Sequence, residues 1–143
     1  MRWDRLFDDL EAEGREPRTS VIEMEMRTDE RAAAALDLAA DTEMLSVVRV
    51  RSAGDQPLAI MHNWLPPAHA EITLESLEAQ GLYALLRKRG VKPVVARQSI
   101  GARMPTAAER RALGLRSGQP VLTMTRMAFD ASGAAIEFGD HAY

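Results

Sequence analysis

Residues 45–66, LSVVRVRSAGDQPLAIMHNWLP, carry most of the information about the fold. Apolar and polar residues alternate on both sides of a turn that contains Gly54, a pattern typical of two antiparallel strands in a hairpin. Because side chains alternate across a strand, Arg49 and Arg51 are predicted to point to the same face as the apolar Val47. The function of the protein therefore has to account for two arginines on an apolar strand face.

The same pattern occurs a second time in the chain. Residues 35–62, ALDLAADTEMLSVVRVRSAGDQPLAIMH, align with residues 112–139, ALGLRSGQPVLTMTRMAFDASGAAIEFG. Arg49 matches Arg126 at a separation of 77 residues, and the separation becomes 78 beyond the turn. Each unit is predicted to contain an Ala-rich helix, a strand, a turn with a glycine (Gly133 in the second unit) and a returning strand.

Hydrophobic periodicity and capping signals predict the remaining elements. The first is a helix that ends near Gly14 and has an apolar side formed by Trp3, Leu6, Phe7 and Leu10, and it is followed by a strand over residues 21–26 with Ile22, Met24 and Met26 on one face. Two short helices follow between residues 71 and 90, the first N-capped by Thr73 and the second with Leu82, Leu85 and Leu86 on one side. The last is a strand over residues 93–103 that bends or bulges at Gly101. The Ala-rich helices span residues 29–38 and 107–114. Thr106 and Glu109 are predicted to form a capping box at the start of the second one.

These elements predict one α+β domain over residues 1–143. Six antiparallel strands and about four helices are expected, with the helices packed on one face of the sheet. A chain of 143 residues with 46% hydrophobic residues has the length and composition of a single soluble domain.

Composition and charge exclude several classes of protein. The sequence has no apolar run long enough to span a membrane and no signal peptide, so a cytoplasmic protein is expected. It contains no cysteine, and His62, His69 and His141 are too scattered to predict a metal site. We expect no cofactor. The 18 Lys and Arg are mixed with 21 Asp and Glu, so the chain itself is not predicted to bind DNA.

The closing strand of the second unit adds polar residues that share one face. Glu137, Gly139, His141 and Tyr143 alternate on that strand. With a four-residue turn, Glu137 falls opposite Arg126, within reach of a cross-strand ion pair. A guanidinium matches a carboxylate or phosphate with two parallel hydrogen bonds. A small anionic ligand is therefore the predicted partner of this face.

The alternative is that the strand arginines lie on a solvated face in salt bridges that contribute little. Tyr83 could add its phenol to the site or belong to the core, and His62 could line the pocket or be a structural histidine. The sequence contains no nucleophile elbow, glycine-rich phosphate loop or HExxH motif that would indicate an enzyme.

Four segments, taken in order, resemble a known family. They are LEAEGREPRTSVIEME, LDLAADTEMLSVVRVRSAGDQPLAIMHNWLP, LYALLRKRGVKP and ARQSIGARMPTAAERRALGLRSGQPVLTMTRMAFDASGAAIEFGDHAY. Their order and spacing resemble the UTRA effector-binding domain of GntR-type transcription regulators of the HutC subfamily. The resemblance implies a chorismate lyase-like fold, a homodimer, and a role in sensing a small metabolite while a separate winged helix-turn-helix domain, absent from this chain, binds operator DNA.

The resemblance also implies which residues contact the effector. By motif position they are Arg49, Arg51, Tyr83, Glu137 and Tyr143. Arg126 and His141 join this set through the repeat and the alternation alone. Family effectors include sugar phosphates, amino-acid derivatives and small organic acids.

Three departures from the family pattern affect these expectations. Gly81 stands where many relatives have a serine that could bind phosphate, and Met61 stands where they have a polar residue. Relatives also continue past Tyr143, so a shortened last strand is expected to leave an open sheet edge. Two other functions stay open at this point: an enzyme of the chorismate lyase kind, and a dimerisation module without a ligand.

Overall fold

The computed structural model describes residues 17–143, which form one six-stranded antiparallel sheet with helices packed on it. The strands are β1 (Pro17–Arg27), β2 (Met44–Ala53), β3 (Gln56–Leu65), β4 (Val95–Arg103), β5 (Val121–Phe129) and β6 (Ala135–Ala142), and the helices are α1 (Glu30–Ala35), α2 (Leu74–Ala79), α3 (Leu82–Lys88) and α4 (Ala107–Leu113). The predicted α+β class and both predicted hairpins are confirmed. The helix predicted before Gly14 lies outside the described residues.

The strand order in the sheet is β1-β2-β3-β6-β5-β4. The two hairpins of the repeat therefore meet through their returning strands, β3 and β6. The expectation of an open edge at the last strand is wrong, because β6 lies inside the sheet and pairs with β3 on one side and β5 on the other. The edges are formed by β1 and β4.

Helices cover both faces of the sheet. On one face Leu86 of α3 packs in a core with Leu45 of β2. On the other face Ala33 of α1 packs near Trp64 of β3, and Leu113 of α4 lies against the same side. The prediction that helices cover only one face is wrong. Helices cover both faces because the first half of β2 is buried at every residue, so both sides of this strand need apolar cover.

Local signals placed the helix starts and turns well. Thr106 and Glu109 form the predicted capping box, each side chain accepting a hydrogen bond from the other residue's backbone N–H. Thr73 caps α2 as predicted. Gly54 and Gly133 have φ values of 59° and 84°, which confirms the left-handed conformation expected at the two hairpin turns.

One bulged residue interrupts the returning strand of each hairpin. The bulges lie at Leu58 in β3 and at Ile136 in β6, next to the turns. Because a bulge adds one residue to only one strand, it shifts the pairing beyond it. The prediction that Glu137 lies opposite Arg126 is wrong, and Arg126 pairs with Gly139 instead, because the turn has five residues and not four and the bulge at Ile136 adds one more.

Two details of the edge strands also differ from the sequence expectations. The pairing of β1 shifts at Ile22, whose side chain is exposed, while Val21 and Met24 pack toward the core. Ile22 therefore does not share the buried face. No bulge occurs at Gly101, since β4 and β5 pair without a shift. A Cβ at Gly101 would lie 3.2 Å from Oγ1 of Thr123, so close approach accounts for this glycine.

Candidate functional site

Three arginines point to the sheet face on which α3 packs. Arg49 and Arg51 belong to β2 and Arg126 belongs to β5, with β3 and β6 between them. Arg49 is only 4% exposed and lies on the same face as Val47, as predicted. The alternative of a solvated surface arginine is wrong for Arg49. We call these residues, together with Tyr83, Asn63, Glu137, His141 and Tyr143, the arginine cluster.

Arg49 is held by a residue that the sequence analysis missed. Its Nη2 donates to Oδ1 of Asn63 at 2.7 Å, and Nδ2 of Asn63 donates to Oε1 of Glu137 at 2.6 Å. The Nε of Arg49 is buried and has no hydrogen-bond partner. Burial, and next the charge of Arg51, lower the pKa of Arg49 to about 10, so the group stays charged at neutral pH. The alternation that selected the arginines also places Asn63 on this face.

Glu137 is the buried carboxylate of the cluster. It is 1% exposed, and its second oxygen, Oε2, accepts a hydrogen bond of 2.7 Å from the hydroxyl of Tyr83. Burial raises the pKa of Glu137, while the hydrogen bonds from Tyr83 and Asn63 act in the opposite direction. Burial and the neighbouring Glu137 raise the pKa of Tyr83. The carboxylate thus fixes the orientation of both side chains that donate to it.

Arg126 completes the cluster from the second repeat unit. Its guanidinium carbon lies 4.7 Å from the centre of the Tyr83 ring, a cation–π contact. Its Nε is buried without a hydrogen-bond partner, as is the Nε of Arg49. Arginines from both units therefore bring an unsatisfied donor to the same region.

The closing strand forms the floor beside these arginines. A Cβ at Gly139 would lie 2.8 Å from Nε2 of His141 and 2.9 Å from Oε1 of Glu137. Nδ1 of His141 lies 3.3 Å from the hydroxyl of Tyr143. Burial, and then the charges of the nearby arginines, lower the pKa of His141 to about 3, so the ring is neutral at pH 7. Burial also raises the pKa of Tyr143.

The cluster carries an excess of positive charge. In the part of the chain that the structure describes, it contains three guanidinium groups and one carboxylate. Nε of Arg51 donates to Oγ1 of Thr19 at 3.4 Å, and burial lowers the pKa of Arg51. Within residues 17–143, no carboxylate forms an ion pair with Arg49 or Arg126. An anion is the group that would balance this charge.

His62 does not belong to the cluster. It lies on the opposite face, where Oγ of Ser46 is 2.7 Å from its Nε2 and its ring stacks on Trp64 with a centroid distance of 4.6 Å. These contacts identify it as a structural histidine. Residues 17–143 contain no group of three metal-ligating side chains and no helix long and apolar enough to cross a membrane.

Comparison with known proteins identifies the family. The model of the UTRA domain matches residues 12–143. The chain belongs to the UTRA family. It is 27% identical over 138 residues to the HTH-type transcriptional repressor NagR of Bacillus subtilis, covering 95% of this chain and 57% of NagR. It is 33% identical over 100 residues to the HTH-type transcriptional regulator Rv0792c of Mycobacterium tuberculosis, covering 66% of this chain and 37% of that protein.

Solved structures support the same UTRA fold. A transcriptional regulator from Streptomyces coelicolor is 42% identical with a TM-score of 0.84, covering 90% of this chain and 87% of that one. PhnF from Mycobacterium smegmatis is 23% identical with a TM-score of 0.85, covering 96% and 62%, and shows the fold alone. This UTRA chain spans about half the length of the curated regulators it matches, from 37% to 57%. The relatives are named as transcription regulators, which places the chain with regulator domains.

Proposed function

We propose that this chain is the effector-sensing domain of a bacterial GntR-family regulator of the HutC subfamily, and that it binds a small anionic metabolite at the arginine cluster. The observation that carries the proposal is the Nε of Arg49, a buried donor on a charged side chain that has no hydrogen-bond partner. A buried, unsatisfied donor costs about 1–3 kcal/mol, and more when the group is charged. An anionic ligand oxygen removes that cost.

The geometry of the donors favours a carboxylate or a phosphate. Arg49 already uses Nη2 to bond Asn63, and this contact fixes the plane of its guanidinium. Its Nε then faces a ligand with little loss of side-chain entropy. Arg126 offers a second free Nε and is held in place by its contact with Tyr83. Arg51 supplies further positive charge from the same strand as Arg49.

The residues around the arginines bind the rest of the ligand. Glu137 and His141 lie beside Gly139, Tyr83 donates to Glu137 and Tyr143 lies next to His141, and these four side chains contact the ligand's polar groups. Sugar phosphates, amino-acid derivatives and organic acids are the candidate classes. Met61 pairs with both Arg49 and His141 and is buried, so it places an apolar surface beside the anion site. That surface favours an organic acid over a sugar phosphate.

The regulator acts as a cytoplasmic homodimer whose separate helix-turn-helix domain binds operator DNA. A ligand changes operator affinity only if it binds one dimer arrangement more tightly than another. Couplings of about 1–3 kcal/mol change operator binding roughly 5- to 150-fold. The NagR relative, a named repressor, supports this mode of action.

Thermal unfolding with candidate ligands tests the proposal. A ligand at about 100 times its Kd adds about 2.7 kcal/mol to the free energy of unfolding. We expect one or more members of the three ligand classes to raise the Tm of the wild-type domain. Arg49→Met, which keeps the aliphatic stem and removes the donors, should abolish that shift. Arg116→Ala, which removes an exposed arginine away from the cluster, should leave it unchanged.

Two results would contradict the proposal. The first is a Tm that no ligand of these classes changes, which would favour a dimerisation module. The second is an Arg49→Met variant that still shows the full ligand-induced shift. Release of pyruvate from chorismate by the wild-type domain would instead indicate the enzyme alternative.

A further inference from the structure

A cavity of about 420 Å³ lies between the α3–β4 loop (residues 89–94) and the β5–β6 turn (residues 130–134). The loop and the turn are joined where the backbone N–H of Val94 donates to the carbonyl oxygen of Phe129 at 2.8 Å. Among the described residues that line the cavity, none belongs to the arginine cluster. Cavities that bind small molecules have volumes of about 300–1,000 Å³, mostly apolar walls and a few polar groups. The apolar walls here are formed by Pro66, Val91, Val94, Ala131 and Ile136.

The turn presents a carboxylate to this cavity. Oδ1 of Asp130 accepts hydrogen bonds from the backbone N–H of Ser132 at 2.9 Å and of Ala134 at 3.0 Å, and from the hydroxyl of Ser132 at 2.6 Å. These bonds, with that of the Ser132 hydroxyl first, lower the pKa of Asp130, so the group is charged at neutral pH. Within residues 17–143, Oδ2 of Asp130 has no hydrogen-bond or ion-pair partner. That oxygen is therefore left for a ligand.

His69 presents a hydrogen-bond donor whose position is fixed. The residue is 7% exposed, and its Nδ1 accepts a hydrogen bond of 3.2 Å from Nε of Arg89, which also binds Glu71 and the carbonyl oxygen of Ala68. A guanidinium only donates, so the proton of the neutral ring is on Nε2. Burial, and next the charge of Arg89, lower the pKa of His69, which keeps the ring neutral at pH 7. In the part of the chain that the structure describes, Nε2 has no partner.

The loop adds a positive charge on the wall across from Asp130. Lys92 lines the cavity, is exposed and forms no ion pair with any residue of the described range 17–143. Its ammonium and the Nε2–H of His69 are both groups that bind a carboxylate. A cation on one wall and a carboxylate on the other match a ligand that carries both charges.

We propose that this cavity binds a small zwitterion with an apolar side chain, as an apolar α-amino acid has. The ligand carboxylate contacts Lys92 and His69, and its ammonium group contacts Asp130. Its side chain packs against the apolar walls, where Ile136 is only 6% exposed.

The cavity adjoins segments that carry two residues of the arginine cluster. Ile136 directly precedes Glu137 in β6. The backbone N–H of Val91 donates to the carbonyl oxygen of Leu86 in α3, the helix that carries Tyr83 in its first turn. An occupied cavity therefore contacts the supports of both cluster residues. An effect on the effector rests on the proposed function, whereas binding in the cavity does not.

Three small molecules that share one apolar body test the charge pattern. Leucine carries both charges, 4-methylpentanoate lacks the ammonium group and 3-methylbutylamine lacks the carboxylate. In amide NMR titrations of the 143-residue chain, leucine should shift the resonances of residues 90–94 and 130–136. We expect leucine to bind about fivefold more tightly than either analogue, the upper value for a partly exposed ion pair. An analogue that binds as tightly as leucine, or leucine-induced shifts confined to the arginine cluster, would overturn the inference.

Variants of the two walls test the location. Ala131→Trp fills the cavity from an exposed turn position and should abolish the leucine-induced shifts, whereas Ala134→Trp, in the same turn but outside the lining, should keep them. Lys92→Met should raise the Kd for leucine about fivefold, and Lys88→Met, a change at an exposed lysine outside the lining, should leave it unchanged.

Unchanged leucine binding in Ala131→Trp or in Lys92→Met would contradict the proposal. Ala131→Trp leaves the arginine cluster intact. Tm shifts caused by ligands of the cluster, measured on this variant, therefore report separately on the proposed function.

Discussion

The two repeat units share a backbone but contribute different chemistry. Arg49 pairs with Met61 in the first hairpin, and Arg126 pairs with Gly139 in the second. These pairs keep the sequence separations of 77 and 78 residues, and the bulges at Leu58 and Ile136 occupy equivalent positions. The repetition therefore includes the irregularities of the strands and confirms the internal repeat.

The returning strands differ at three equivalent positions on the arginine face. The pairs are Ala59 and Glu137, Met61 and Gly139, and Asn63 and His141. The first unit provides apolar cover and an amide, whereas the second provides a carboxylate, a glycine closely approached by its neighbours and a titratable ring. The comparison indicates that the repeated hairpin builds the framework, and that three substitutions distinguish the two halves of the site.

Replacing Glu137 with alanine, the residue of the first unit, should have the largest effect. Tyr83 and Asn63 would both lose a buried acceptor, and the arginines would lose the buried carboxylate beside them. Each unsatisfied donor costs about 1–3 kcal/mol, so we expect a loss of about 3 kcal/mol in urea unfolding. Glu43→Ala removes an exposed carboxylate and is the control. A loss below about 1 kcal/mol for Glu137→Ala would show that Glu137 does not organise the cluster.

Adding a side chain at Gly139 should have an intermediate effect. Its Cβ would lie within 3.0 Å of His141 and Glu137, so both side chains would have to move. We expect Gly139→Ser to lower the free energy of unfolding by about 2 kcal/mol. The same change at Gly81, whose Cβ would meet nothing within 4 Å, should be neutral or stabilising because serine is a good N-cap. Equal unfolding free energies for the two variants would argue against a crowded floor.

Replacing His141 with asparagine, the residue of the first unit, should change the pH dependence of stability. The pKa of His141 is about 3 in the folded protein against 6.5 in the unfolded chain. Between these values the unfolded chain binds a proton that the folded protein does not, so wild-type stability falls as the pH falls below 6.5. The extra loss is at most about 1.4 kcal/mol per pH unit.

Urea unfolding at pH 6.5 and pH 5.5 measures this difference between wild type and His141→Asn. The raised pKa of Glu137 changes stability in the opposite direction, but that carboxylate is present in both proteins and its contribution largely cancels in the comparison. His62 also has a lowered pKa, so some pH dependence should remain in the variant. Identical slopes for the two proteins would show that folding does not lower the pKa of His141.

Much of the fold could be predicted from the sequence because its signals are local. Alternation placed Arg49, Arg51 and Arg126 on one face, and the capping residues marked where helices begin. The bulge at Ile136 could not be predicted, because one inserted residue leaves the apolar pattern nearly unchanged. The error in the partner of Arg126 followed from that bulge together with a turn that is one residue longer than assumed.

The missed features of the site depend on contacts between distant parts of the chain. Asn63 joins Arg49 to Glu137, which is 74 residues away in sequence, and no local motif marks it. The central place of β6 likewise depends on its pairing with β3. Helix cover on the second face escaped prediction because α1 is a short Ala-rich helix whose apolar pattern does not indicate which side of the sheet it meets.

The position of β6 has a consequence for how the protein is made. This strand comes last among the six in chain order, yet it alone joins the β1–β3 half of the sheet to the β4–β5 half. On the ribosome, the two halves cannot be joined through the sheet until residues 135–142 have emerged. Long-range pairing of this kind folds slowly. The nascent chain therefore exposes unpaired strand edges, which favour aggregation, until β6 has been made.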